Sequence, residues 1–271
     1  MQRRIIIAVF ALALLAIIGY NVHSQLVPKP LRPFFVYITQ ISFGGLDEPP
    51  NQPQIPFVYA SGRAIREDGS SVEISHSFSP DESGRRDIFG EQKAIFDFST
   101  MRKTLVNDTA ESTTTSALLH HDIGLWKIVP RAHCGGKPAG QMLGYDVEYW
   151  EDNTPAVSTK DGTEKPMPHH QKFWGAPALG CYALRKEDKS NWPDGSVFMD
   201  SVWQALYVVE GDVSKYFEIP PSYKEMPPSE VMAEVSRKYP EIPMPTTDLL
   251  NRADENYRRG QRWLEHPPEE H

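Results

Sequence analysis

Around Asp68-Gly69 the residues alternate in twos. Asp68-Gly69 is the dipeptide of a two-residue type I′ turn. Folding the chain about it sets Ile65 against Val72, Arg63 against Ile74, Ser61 against His76 and Tyr59 against Phe78. Val72, Ile74, His76 and Phe78 alternate with Ser71, Glu73, Ser75 and Ser77, the period of an antiparallel strand with one buried face. Further strand segments follow at 86–89, 94–98 and 103–107, and 111–118 continues in threonines. A second set reads as strands over 144–150, 173–184 and 198–209. The chain is thus expected to form a meander of long antiparallel strands.

Helical signals come only at the end. Ser229 opens a helix to about 239, and Thr247 caps a longer one over 248–264. The second is acidic at its start and carries Arg258, Arg259 and Arg262 near its end, in keeping with the helix dipole. Leu249, Leu250, Ala253, Tyr257 and Leu264 give it an apolar stripe that has to dock on the sheet or on a partner. The expected fold class is therefore mainly β (α+β): a curved antiparallel sheet or half-barrel with C-terminal helices, preceded by an N-terminal signal or anchor helix.

That leading helix is an apolar run over 5–18 behind Arg3 and Arg4, the form of an export signal. It is short against the roughly 20 residues of a membrane span. Val22 and Ser24 suit a signal-peptidase site before Gln25, whereas a helix over 3–21 with Tyr20 at the interface suits an anchor. Either way the remainder is expected in the periplasm or on the extracytoplasmic face of the inner membrane, and secreted if cleaved. The expected organisation is 1–24 signal peptide or anchor, 25–56 proline-rich tether, 57–228 β domain and 229–271 helical tail. Proline, 24 of 271 residues, is nearly twice the usual frequency of about 5%, and it clusters in 26–56 and 220–245, which reads as linkers or sheet edges. An apolar patch at 34–41 fits a free tether as well as an edge strand or a short helix laid against the domain.

The formal charge is −8, and losing Arg3 and Arg4 with a signal takes it to −10. This argues against nucleic acid as a partner and against electrostatic adhesion to anionic lipid head groups. Cys134 and Cys181 both lie in the part expected outside the cytoplasm. Such a pair most simply forms a disulfide, contributing about 3–4 kcal/mol by the chain-entropy estimate; two buried thiols are the alternative. Neither cysteine belongs to a C-x-x-C unit.

Three stretches are similar to known proteins when taken together: Gly144-Tyr145-Asp146-Val147-Glu148, Trp174-Gly175-Ala176-Pro177-Ala178-Leu179-Gly180-Cys181, and Val209-Glu210-Gly211 with Phe217-Glu218-Ile219-Pro220 and 223–230. They resemble an uncharacterised family of exported bacterial proteins of the kind abundant in acidobacteria. More distantly, over 57–230, the arrangement resembles the half-barrels of lipoprotein carriers of the LolA and LppX type. The carrier resemblance implies a curved sheet wrapped around helices and an apolar groove; the chain departs from it in placing helices only after the strands. It also implies that Cys134 and Cys181 lie on neighbouring strands.

His120-His121-Asp122 and His169-His170 are the dense histidine sites, and with His133 or Cys134 they offer zinc ligands. Adjacent histidines in a strand point to opposite faces, so each pair offers at most one ligand; no metal site is assigned, and His121 with His170 is the alternative. No G-x-S-x-G elbow is present, and Ser75 and Ser77 about His76 alternate instead of converging. Gly135-Gly136 lacks the Lys-Ser/Thr continuation of a phosphate loop, and Asn107-Asp108-Thr109 reads as a turn. No catalytic residue is assigned and no cofactor is expected. The expected function is non-enzymatic: binding an apolar ligand, a lipid or a lipidated partner on a concave sheet lined by Phe78, Phe96, Trp150 and Trp174. The same aromatic residues also suit the ordinary core of such a sheet. The alternatives are a structural or interaction module of the envelope, docking a protein partner through the last helix, and a metal-dependent hydrolase.

Overall fold

The computed structural model describes residues 30–43, 57–78, 92–118, 127–158, 165–191, 197–240 and 244–266. The expected leader, the strand at 86–89, His120, His121, Asp122 and Trp126 lie outside the described residues. Among those described, no helix is long and apolar enough to cross a membrane.

A first meander runs through β1 (Phe34–Phe43), β2 (Phe57–Ile65), β3 (Ser71–Phe78), β4 (Gln92–Asp97), β5 (Arg102–Asn107) and β6 (Ser112–Ala117). A second runs through β7 (Lys137–Met142) and β8 (Tyr145–Asp152), leaves the sheet for the small hairpin of β9 (Ala156–Ser158) and β10 (Lys165–Met167), and continues through β11 (His169–Ala176), β12 (Tyr182–Asn191) and β13 (Val197–Glu210). The two meet where β1 pairs with β13, from Phe34↔Glu210 to Phe43↔Asp200. With the two-residue β14 (Lys224–Glu225) they make one open sheet of twelve strands, in the order β14-β6-β5-β4-β3-β2-β1-β13-β12-β11-β8-β7. Every pairing is antiparallel except β14 with β6. Two helices follow, α1 (Pro228–Lys238) and α2 (Thr247–Glu265). This is the mainly β fold with C-terminal helices that the alternation demanded.

The hairpin at Asp68-Gly69 forms, but not by the expected turn. Its loop has three residues, closed by Arg66 N–H to Ser70 O (2.8 Å) and Gly69 N–H to Arg66 O (3.0 Å), and within it only Gly69 takes a positive φ, 82°. A type I′ turn would need a positive φ at Asp68 as well. Instead the Asp68 carboxylate accepts from Ser70 N–H and Ser70 Oγ–H, both at 2.9 Å. A Cβ at position 69 would meet Ile128 O at 2.2 Å, so the loop also needs glycine for space. The extra loop residue moves the register by one: Ala64 faces Val72 and Ile65 faces Ser71. Ile65 and Val72 therefore point to opposite faces.

Both faces are buried there, which is why one-sided alternation misjudged the register. On one face Leu31, Phe34, Val36, Ile65, Leu179 and Leu184 form the main core. On the other, Ala64, Val72, Ile95 and Val106 pack with Val213, and Phe35, Tyr216 and Phe217 lie against them. The 34–41 patch is thus neither free tether nor edge: Phe34 and Val36 are fully buried in an interior strand. The segment 173–184, expected as one strand, is the end of β11 and the start of β12. Pro177 opens a 3₁₀ turn at Pro177–Leu179 that Gly180 N–H closes on Pro177 O, so the chain reverses. Cys134, before β7, and Cys181, before β12, are joined in a disulfide, Cα–Cα 5.4 Å.

Helix α1 begins one residue before its expected cap, Ser229, and α2 begins at its expected cap, Thr247. Pro228 takes the first turn of α1, where a missing N–H costs nothing, and Thr246 caps α2 by accepting from Leu249 N–H. Ser229 instead ties the helices together, its N–H and Oγ–H both donating to Asp254 (2.9 and 2.6 Å). Leu250, Ala253, Tyr257 and Leu264 lie half-buried on the docked side of α2, but Leu249 is 51% exposed.

Candidate functional site: a cavity beneath the first helix

Strand alternation puts Glu73 and Ser75 of β3, Gln92 and Ala94 of β4, Leu105 and Asn107 of β5 and Thr114 of β6 on the face that carries Phe34. The register lines them up in two cross-strand rows, Glu73↔Ala94↔Leu105↔Thr114 and Ser75↔Gln92↔Asn107. Helix α1 lies over these rows. Val235 fixes it by packing, fully buried, against Ala110. Lys238 Nζ donates to Thr109 O (2.5 Å). At its leading end Met226 N–H donates to Thr113 O (2.8 Å) and Thr114 Oγ–H to Met226 O (2.8 Å).

Between helix and sheet is a cavity of about 280 Å³, roofed by Pro228, Val231 and Met232 and floored by the two rows. Its floor is not filled: Leu105 remains 47% exposed. One row is apolar over Ala94 and Leu105, with Glu73 at its end. The other offers neutral hydrogen-bonding groups, Ser75, Gln92 and Asn107, the last held by its Oδ1 accepting from Ala110 N–H (2.8 Å). An apolar pocket with a few converging polar groups is the usual form of a small-ligand site.

The structure does not gather the aromatic residues expected to line a groove. Phe96 is buried with Phe98 and Leu118. Trp150 stacks on Phe173 at 5.2 Å on the face that carries Phe34. Trp174 is turned to the opposite face, 5.0 Å from Tyr149 and beneath Arg185. Phe78 ends β3 opposite Val58. Phe96, Trp150 and Trp174 do not border the cavity. Its residues went unnoticed because Glu73 and Ser75 read as the solvent side of a hairpin, and the roof comes from a helix distant in the chain. The available signal was the Val231, Val235 spacing of α1, one apolar side with nothing assigned beneath it.

The described histidines do not converge either. His170 Nε2 is 3.3 Å from Glu151 on one face. His169 Nε2 is 2.7 Å from Asp188 on the other, as expected of neighbours in a strand. His133 Nδ1 is 3.0 Å from Glu148. Among the described residues no three metal-ligating side chains come together. Around Asp188 lies a satisfied polar cluster: Gln171 Nε2 and Lys186 Nζ donate to its carboxylate at 2.7 and 2.9 Å, and Lys186 lies between the rings of Phe173 and Trp203, 5.6 and 5.5 Å away. Burial pushes the Asp188 carboxyl up, but the bonds from Gln171, Lys186 and His169, with the charge of Lys186, hold it below the ordinary range. Glu148 behaves alike: burial raises it, and bonds from His133 and from the N–H groups of Cys134 and Gly136 bring it below the ordinary range.

No protein family and no curated protein matches the chain, and the resemblance to exported acidobacterial proteins finds no support there. Among solved structures it is similar to a candidate outer membrane lipoprotein-sorting protein domain from Vibrio parahaemolyticus, at 6% identity over 73% of this chain and 94% of that one, TM-score 0.22. It is also similar to a beta-barrel-like protein of a domain of unknown function from Brucella abortus, at 9% identity over 69% of this chain and 100% of that one, TM-score 0.25. At these scores neither likeness carries an argument about this chain.

Proposed function

We propose that this chain is a non-enzymatic binding domain of the cell envelope that holds an apolar ligand between α1 and β3–β6. The observation that carries the reading is the half-exposed Leu105 on the floor of a cavity of about 280 Å³. A cavity of roughly half that volume accepts an aromatic ring. Covering its walls recovers about 25 cal/mol for each Å² of apolar surface removed from water. Placement outside the cytoplasm draws support from the arginine-led apolar run and from a cysteine pair joined as pairs are in oxidising compartments.

Native mass spectrometry of the protein purified unreduced from the periplasm tests this directly. The expected result is a mass excess matching a lipid or other apolar molecule, lost in a Met232→Trp variant that fills the cavity. A bare chain that also takes up no apolar fluorescent probe sinks the proposal.

A second reading has its own observation. Arg252, Arg258, Arg259 and Arg262 lie exposed on α2, and none makes an ion pair among the described residues. Such a helix suits an interaction module whose protein partner presents carboxylates. Replacing the four by glutamine is then expected to abolish capture of that partner while leaving the sheet folded.

A further inference from the structure

We propose that the cavity selects an apolar molecule whose polar end is a cationic amine, with Glu73 as its partner; this rests on the binding reading above. Among the described residues two charged side chains border the cavity, Glu73 and Lys93. Lys93 belongs to the other face of β4, where its Nζ donates to Glu218 O. Arg63 faces Glu73 across the strand pair on the same side of the sheet; its guanidinium donates to Ser71 Oγ (3.3 Å) and lies 5.7 Å from the Tyr182 ring centroid. It does not border the cavity.

A carboxylate is therefore the fixed charge that a bound molecule meets. Glu73 is half-buried and accepts no hydrogen bond from another side chain among the described residues. Seating an apolar body beside it removes water from that carboxylate, which is unfavourable unless a donor replaces the water. An ammonium group replaces it with a charge-assisted bond. The parallel row of Ser75, Gln92 and Asn107 supplies acceptors for the remaining N–H donors. An anionic head group finds donors in this row, but it is repelled by Glu73 beside it.

The test displaces the apolar probe N-phenyl-1-naphthylamine from the full chain with dodecylamine, dodecanol and dodecanoate. The amine is expected to bind roughly tenfold tighter than the alcohol, as suits a hydrogen bond to a charged group, and dodecanoate weakest. Glu73→Gln should bring amine and alcohol level while leaving the alcohol where it was, which also shows that the variant is folded. Glu73→Asp should keep the preference. Equal binding of amine and alcohol to the wild type, or best binding of dodecanoate, overturns the amine assignment and leaves the apolar site standing. Failure of the probe to bind, or binding that Met232→Trp does not alter, overturns both.

Discussion

Glu225 takes five hydrogen bonds on one carboxylate: from Thr113 Oγ, from Thr115 N and Oγ, from Tyr257 Oη and from Gln261 Nε2. Gln261 also donates to Thr115 O at 2.7 Å. Two side chains thus occupy the backbone donor and acceptor that a further strand would use, where β14 has already ended. Because the site is partly solvated, Glu225→Ala is expected to cost about 1–2 kcal/mol, seen as a melting temperature lower by about 2–8 °C. Asp188 makes a pH prediction. Its carboxyl is held below the ordinary range in the folded chain, so its contribution is complete above the unfolded value near 4 and disappears as pH falls through the folded value. Urea midpoints should fall below about pH 4 in the wild type, and an Asp188→Asn variant should be less stable at neutral pH with a flatter acid limb.

Among the elements, α2 depends on one close approach. A Cβ on Gly260 would meet the Ser116 Cβ at 2.8 Å, so Gly260→Leu should lift the helix from β6. An uncovered edge strand is a template for another chain, and the expected outcome is concentration-dependent association in analytical ultracentrifugation. Deleting 246–271 should do the same. The element types were largely legible in the residues: period-two runs became β3 to β6 and β13, and late caps became two helices. What escaped was what neighbours decide. Ile65 and Val72 look like one apolar face until Ile128 O crowds Gly69 and the loop lengthens. Lys137–Met142 has no strand signal, with Pro138 and Gly140 inside it, yet it forms the outer strand β7, since an edge tolerates a missing N–H. The cavity was less legible still: Glu73, Leu105 and Met232 have nothing in common until cross-strand register and the seating of α1 bring them together.

At the scale of the whole molecule, the disulfide fastens the stretch before β7 to the turn before β12 across 47 residues of chain. Reduction should therefore lower stability by about 3–4 kcal/mol, measured as a shift in urea midpoint, with the strand signal in circular dichroism kept at neutral pH and low denaturant. The meeting of β1 with β13 has a different consequence, one of timing. Phe34 ends up beside Glu210, so β1 waits for β13 before its second edge is covered. Strands β2 to β6 find partners as soon as they are made, whereas the centre of the sheet closes only when nearly all the chain is present. Pairings so distant in sequence make for slow folding. A chain that stays open-centred for so long keeps a linear polymer's ability to be threaded through a narrow channel.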